Sequence, residues 1–101
     1  MSITITKKKI SPFAGIWVNG TTDDGCKFQA KVFEEPSQFG IPTARFEDGG
    51  NVSKLYIKAH DGRELLCYDR GFDYIDDAGE DYVEDVMHEI VLDLEKRFCK
   101  Q

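Results

Sequence analysis

Hydrophobic residues recur with helical spacing near the end of the chain. At 3.6 residues per turn, one stripe collects Val83, Val86, Met87, Ile90, Val91, Leu94 and Phe98. Mostly charged residues occupy the positions between them. This spacing predicts a helix over residues 79–98, about 30 Å long, that packs its apolar stripe against the rest of the protein.

Alternating apolar and polar residues predict β-strands upstream of this helix. The segments with this pattern are residues 2–6, 15–21, 26–33, 52–58 and 63–69. Asp-Gly pairs at 24–25 and 61–62 have the composition of hairpin turns. The sequence therefore predicts an α+β fold, in which an antiparallel four- to five-stranded sheet (a meander) carries one long C-terminal helix packed on one face.

The chain of 101 residues is long enough for a single domain with one core. Residues 1–12 are interpreted as an edge strand or a flexible arm, in which lysines 7–9 would prevent pairing with other chains. Residues 34–51 break the strand pattern and are expected to form a long loop. This loop either covers one end of the sheet or is functional, with Phe39 as a candidate contact. Residues 70–78 are expected to link the sheet to the helix.

Composition narrows the class of protein. The apolar runs are too short to cross a membrane, and the N-terminal lysines follow the first apolar residues, which is the wrong order for a secretion signal. Cys26, Cys67 and Cys99 are odd in number and widely spaced, which favours reduced thiols over a disulfide framework. We therefore expect a cytoplasmic protein that does not bind membranes.

No motif indicates catalysis or metal binding. The sequence lacks a phosphate-binding loop and a nucleophile elbow. Its cysteines and histidines lack zinc-site spacing. Residues 69–80 match a calcium loop at several acidic positions, but Gly71 and Tyr74 stand where an oxygen ligand and a glycine are required. We expect no catalytic residues, no metal and no cofactor, and hence a protein that is not an enzyme.

Negative charge is concentrated near the predicted helix. Residues 71–95 contain ten acids and no Lys or Arg, in a chain whose net charge is -6. Acids in the first turns are explained by helix capping and the helix dipole. The other acids are interpreted as an outward-facing surface: Glu84, Asp85, Glu89, Asp93 and Glu95. This surface suits a basic protein partner and not nucleic acid, whose phosphates it would repel.

A second candidate surface follows the last predicted strand. Arg70, Phe72 and Asp73 bring a guanidinium, an aromatic ring and a carboxylate to one edge of the sheet. Arginine and aromatic residues are enriched at protein-binding hot spots. In the alternative interpretation, Arg70 pairs with Asp69 or Asp73 and only fixes the turn.

Short sequence blocks resemble a known family. The blocks are Trp17-Val18 followed by Gly20, and the segments 28–33, 35–37, 39–41, 53–55 and 68–73. Together they resemble a small uncharacterised domain family of bacteriophages and mobile elements in Firmicutes. The resemblance implies a small accessory protein of a phage or integrated element, and it implies no activity and no site residues.

These observations favour a non-catalytic interaction protein of phage or mobile-element origin. Its acidic helix face would bind a basic host or phage protein, as a nucleic-acid mimic or as an inhibitor of a host defence nuclease. The residues predicted to bind the partner are Glu84, Asp85, Glu89, Asp93, Arg70, Phe72, Asp73 and Phe39.

Two alternatives stay open at this point. One is a homo-oligomeric structural protein, which Leu92 suggests because it lies opposite the apolar stripe. The other is a small-ligand-binding or enzymatic domain. It would use residues 34–51 and the surface formed by Arg70, Phe72 and Asp73, which we call the Arg70 rim.

Overall fold

A computed structural model describes residues 2–11, 15–33, 38, 40–42, 49–76 and 80–98. The elements are β1 (Ile3–Ser11), β2 (Gly15–Thr22), β3 (Lys27–Val32), β4 (Val52–Lys58), β5 (Glu64–Asp69), β6 (Phe72–Ile75) and α1 (Glu80–Phe98). Strand order in the sheet follows the sequence, and neighbouring strands are antiparallel. The predicted α+β class, antiparallel sheet and C-terminal helix are confirmed. The predicted strand number was too low, because the sheet has six strands.

The additional strand is β6, which occupies part of the expected link between sheet and helix. Arg70 and Gly71 form the turn between β5 and β6, and Arg70 adopts a left-handed backbone conformation with φ of 59°. Glycine and asparagine are the usual residues in this conformation, so an arginine does not signal a hairpin. In addition, Asp73 gives β6 an acidic residue like those of the segment that follows it, so the sequence does not separate the strand from that segment.

The core lies between one face of the sheet and α1. Val18, Ala30 and Leu55 lie in register on β2, β3 and β4, and all three side chains are fully buried. The helix packs across β3 and β4. As predicted, it buries its apolar stripe, and Phe98 at the end of the stripe is half-buried. The buried residues of the stripe are Val83, Val86, Met87, Ile90, Val91 and Leu94.

The described part of the long loop lies against the start of β4. Ile41 is 1% exposed, and its backbone N–H donates to the Val52 carbonyl at 2.8 Å. A Cβ atom on Gly40 would lie 1.9 Å from the carbonyl oxygen of Gly50, so the two backbones approach too closely for a side chain. The described residues of the loop therefore pack beside the start of β4 and are anchored there by Ile41. Phe39 and Phe46 lie outside the described residues.

The first turn of α1 is attached to the β2–β3 turn. The Tyr82 hydroxyl donates to the Asp24 carboxylate and lies 3.4 Å from the Cys26 Sγ. The Thr22 hydroxyl also donates to Asp24. Hydrogen bonds from Thr22 and then Tyr82 lower the pKa of the Asp24 carboxyl, and the bond to Asp24 raises the pKa of the Tyr82 hydroxyl. These contacts fix where the helix begins relative to the sheet.

Replacing Ile41 tests the anchoring of the loop. Ile41→Ala should lower the free energy of unfolding by about 2–5 kcal/mol, because it removes buried apolar atoms and leaves a cavity. Urea denaturation followed by circular dichroism measures this loss. The matched control is Ile10→Ala on β1, because Ile10 is 65% exposed. Its effect should stay within about 0.5 kcal/mol, and equal effects of the two changes would contradict the anchoring.

Replacing Tyr82 tests the attachment of the helix. Tyr82→Phe should lower the free energy of unfolding at neutral pH by about 0.5 kcal/mol, a small value because Asp24 is exposed to solvent. The folded-state pKa of Asp24 lies below its ordinary value of 3.8. The contribution of this bond is therefore complete above that value and is lost as pH falls through the folded-state pKa. Urea titrations at neutral pH and at about pH 2.5 should show the difference between the two proteins shrinking in acid. A difference that grows in acid would exclude an ionised Asp24 as the acceptor.

Candidate functional site

The predicted acidic surface of α1 is smaller than the sequence suggested. Glu84, Asp85 and Glu89 are exposed on the side of the helix that faces away from the sheet. Asp93 instead accepts a hydrogen bond from Arg97 Nε at 2.6 Å, and Arg97 donates a second bond to the Ile3 carbonyl at 3.1 Å. Asp93 therefore helps to tie the end of α1 to β1, which leaves three carboxylates as the exposed part of the predicted surface.

Glu95 corrects the sequence interpretation of the helix. It was expected to face outward, yet it is only 1% exposed. Its Oε1 atom lies 3.5 Å from the position that a Cβ on Gly50 would occupy. Glu95 follows Val91 by one helical turn, at the margin of the apolar stripe, and the chain at Gly50 covers that margin. Helical spacing alone could not show this cover.

The Arg70 rim is a hairpin end whose side chains diverge. Phe72 is 52% exposed, and its ring packs edge-to-face on Tyr68 with centroids 4.8 Å apart. Asp73 points to the other side of the sheet, where the Cys67 Sγ lies 3.9 Å from its carboxylate. The Arg70 Nε lies 3.8 Å from an Asp69 carboxylate oxygen, which is a loose and exposed ion pair.

The rim and the acidic helix surface do not form one site. The backbone N–H of Arg70 donates to the carbonyl of Ser53, beside the first residues of β4. The backbone N–H of Asp76, four residues before α1, donates instead to Leu65, beside the last residues of β4. The helix therefore begins at the opposite end of the sheet from Arg70. Phe39, the last predicted contact residue, lies outside the described residues.

The described ranges contain neither a metal-binding cluster nor a membrane-spanning helix. Within them, no group of three or more His, Cys, Asp or Glu side chains is placed to hold a metal ion. In the same part of the chain, no helix has the length and apolar content needed to span a bilayer.

The face of the sheet opposite α1 is rich in lysine. Side chains of β1 to β4 that alternate with the buried ones point to this side. We call this surface the lysine face, and its ten residues, six of them lysines, are Lys7, Lys9, Trp17, Asn19, Lys27, Gln29, Lys31, Lys54, Tyr56 and Lys58.

One row of the lysine face crosses the sheet around an indole ring. Strand register aligns Lys9, Trp17, Lys31 and Lys54 on four successive strands, about 4.8 Å apart. The Lys31 and Lys54 ammonium groups lie 5.6 Å and 6.0 Å from the centroid of the Trp17 ring, within the range of cation–π attraction. The row ends at Asp69, whose carboxylate lies 3.5 Å from Lys54 Nζ.

A hollow lies beside Trp17 on this face. It has a volume of about 240 Å³ and is lined by Lys7, Lys9, Trp17, Asn19 and Gln29. The two amide side chains can donate and accept hydrogen bonds, while the two ammonium groups only donate. The hollow therefore combines positive charge, an aromatic ring and amides that can match several polar groups.

Two pairs of lysines oppose each other on the neighbouring strands β3 and β4. The register places Lys27 opposite Lys58 and Lys31 opposite Lys54. Like charges directly opposite each other destabilise a sheet, typically by a few tenths of a kcal/mol up to about 1 kcal/mol per pair. Asp69 offsets part of this repulsion at Lys54. The Trp17 ring offsets a further part at Lys31 and Lys54, and like charges held together on one face in spite of the remaining repulsion are typical of functional surfaces.

The lysine face becomes acidic toward β5 and β6. Asp69 and Asp73 border Cys67 and Tyr56 there, and burial followed by these negative charges raises the pKa of both the Tyr56 hydroxyl and the Cys67 thiol. Tyr56 and Cys67 are therefore neutral at physiological pH. The positive part of the face is bounded by this acidic edge on one side and by β1 on the other.

Sequence reasoning missed the lysine face, although part of its signal was present. Lysines alternate with buried residues on both β3 and β4, which marks the outer side of each strand. The register between the strands was not predictable, so the opposition of the lysines was hidden. The lysines at positions 7 and 9 were interpreted as protection of an edge; β1 is indeed an edge strand, and these lysines also lie in register with Asn19 and Trp17.

Comparisons with known proteins give one family and no individual relative. Neither curated proteins nor solved structures gave a significant match. A family model described as Domain of unknown function (DUF7678) matches residues 16–95. That match includes β2 to β6 and most of α1, and therefore most of the lysine face. The chain belongs to this family of domains of unknown function.

Proposed function

We propose that this protein is a non-catalytic interaction protein whose lysine face binds an anionic macromolecule. The observation that carries the proposal is the pair of lysine–lysine oppositions on β3 and β4, Lys27 with Lys58 and Lys31 with Lys54. An anionic partner would relieve the repulsion within each lysine pair. The opposed lysines, which weaken the free sheet, would therefore favour binding of such a partner.

The overall negative charge of the chain does not oppose this proposal. The acids Glu84, Asp85 and Glu89 lie on the outer side of α1, and the lysine face lies on the far side of the sheet. The smallest principal extent of the molecule is 21 Å. The Debye length is about 8 Å at physiological ionic strength, so the two surfaces are largely screened from each other. A partner at the lysine face therefore experiences a positive surface, although the net charge is -6.

A second candidate function uses the acidic helix surface. Glu84, Asp85 and Glu89 are exposed on one side of α1, which favours a basic protein as partner. In this version the surface imitates nucleic-acid phosphates toward a basic groove, such as that of a host defence nuclease. The resemblance of the sequence blocks supports an origin in a phage or mobile element for either function.

Charge reversal on the lysine face tests the first function. The double variant Lys31→Glu/Lys54→Glu should weaken binding to labelled heparin by about tenfold or more in fluorescence anisotropy at low salt, because two attractive contacts become repulsive. Added salt should weaken binding of the unchanged protein as well.

The matched control for this experiment is Lys8→Glu/Lys96→Glu. It changes the net charge equally, but Lys8 lies on the helix side of the sheet against Phe98 and Lys96 lies on α1. The control should bind heparin within about twofold of the unchanged protein, since its charges are screened from the lysine face. Equal losses in both variants, or no binding by the unchanged protein, would contradict the proposed function.

Reversal of the helix acids tests the second function. Glu84→Lys/Glu89→Lys should abolish binding of a labelled arginine-rich peptide, while Asp23→Lys/Glu64→Lys, which reverses two exposed acids outside α1, should preserve it. Anisotropy at low salt measures both. If the two variants lose the peptide equally, the helix surface has no specific role.

A further inference from the structure

We infer that the anionic partner of the lysine face is a single-stranded nucleic acid. This inference rests on the proposed function, because it requires an anionic partner at that face. It adds the chemistry of the partner, which the charge alone does not identify.

The aromatic rings separate nucleic acid from other polyanions. Trp17 lies in the row between Lys9 and Lys31, and Tyr56 lies opposite Gln29 in the neighbouring row. Lysines would suffice for a sulfated polysaccharide or an acidic peptide. Aromatic rings among cations on an open sheet are suited to a partner that has both phosphates and flat bases, since bases stack on such rings.

The hollow beside Trp17 supplies groups for the edge of a base. Asn19 and Gln29 line it together with the ring. Their amides each provide a donor and an acceptor, which is what base edges present. Lys7 and Lys9 lie at its border, toward the edge of the sheet, where they can reach the phosphates that flank a stacked base.

The ring and the bordering charges of the lysine face favour a single strand over a duplex. In a duplex the base faces are stacked on one another and are not available to Trp17. The lysine face is also bounded by Asp69 and Asp73, which would repel a wide second backbone. One base stacked on Trp17, with neighbouring nucleotides on either side along the lysines, corresponds to a site of about four nucleotides.

Intrinsic fluorescence reports directly on this site, because Trp17 is the single tryptophan of the chain. Titration with oligo(dT) or oligo(U) of about twelve nucleotides should quench Trp17 emission, since a stacked base contacts the ring. With about four phosphates neutralised, affinity should fall about 50-fold between roughly 50 and 200 mM salt. A duplex of the same length, heparin and poly-glutamate should each bind at least about tenfold more weakly, because none of them can stack.

Variants at Trp17 separate stacking from charge. Trp17→Ala should weaken oligo(dT) binding by about tenfold or more while leaving heparin binding nearly unchanged, and Trp17→Phe should retain most of the affinity because it keeps a ring. Anisotropy of the labelled ligands measures these variants, with urea denaturation as a check of folding. Quenching in the unchanged protein tests the contact even where Trp17→Ala does not fold.

The outcomes distinguish the inference from the proposed function. Two results would each overturn the single-strand inference and leave an anion-binding face. One is binding of heparin or poly-glutamate as tight as that of oligo(dT), and the other is the absence of Trp17 quenching by the oligonucleotide. Equal binding of duplex would overturn it also. Absence of binding to every polyanion at low salt would overturn both. Preference for oligo(U) over oligo(dT), or the reverse, assigns the strand as RNA or DNA within the same inference.

Discussion

The register between β3 and β4 is the constraint on which both faces of the protein depend. Ala30 and Leu55 face each other under α1 and are completely buried. Because side chains alternate across a strand, this pairing also sets Lys31 opposite Lys54 on the other face. A slip by one residue would turn lysines into the core, so the hydrophobic burial that fixes the helix holds the lysines together.

The same constraint separates the charges of the molecule into two surfaces. Helix α1 covers one side of the sheet and presents Glu84, Asp85 and Glu89 to solvent, while the lysines lie on the opposite side. Net charge is therefore a poor guide to what this protein binds, because it averages two surfaces that a partner meets separately.

The sequence was sufficient for most of the elements and for their antiparallel order, and insufficient for the register between strands and for distant contacts. The stripe from Val83 to Phe98 specified the helix and its buried side, since one periodicity covers many residues. The β6 strand was missed because Arg70 occupies a turn conformation that glycine usually marks. Glu95 was misplaced because a distant segment at Gly50 covers the margin of the helix. For Glu95 the missing information was a contact between residues far apart in the chain, whereas for β6 it was the conformation of one turn residue.

The two candidate surfaces also differ in how far the sequence reveals them. The acidic residues of α1 were visible as candidates because they are contiguous in sequence, whereas the lysine face is assembled from four strands. Repulsion between Lys31 and Lys54 cannot relax by a change of register, because the core on the other face would be lost. In the free protein Asp69 and the Trp17 ring offset part of this repulsion, and the proposed anionic partner would offset more of it. Under the proposed function binding and stability would be linked, because a ligand that binds only the folded sheet stabilises it by an amount that grows with the logarithm of the ligand concentration divided by its dissociation constant.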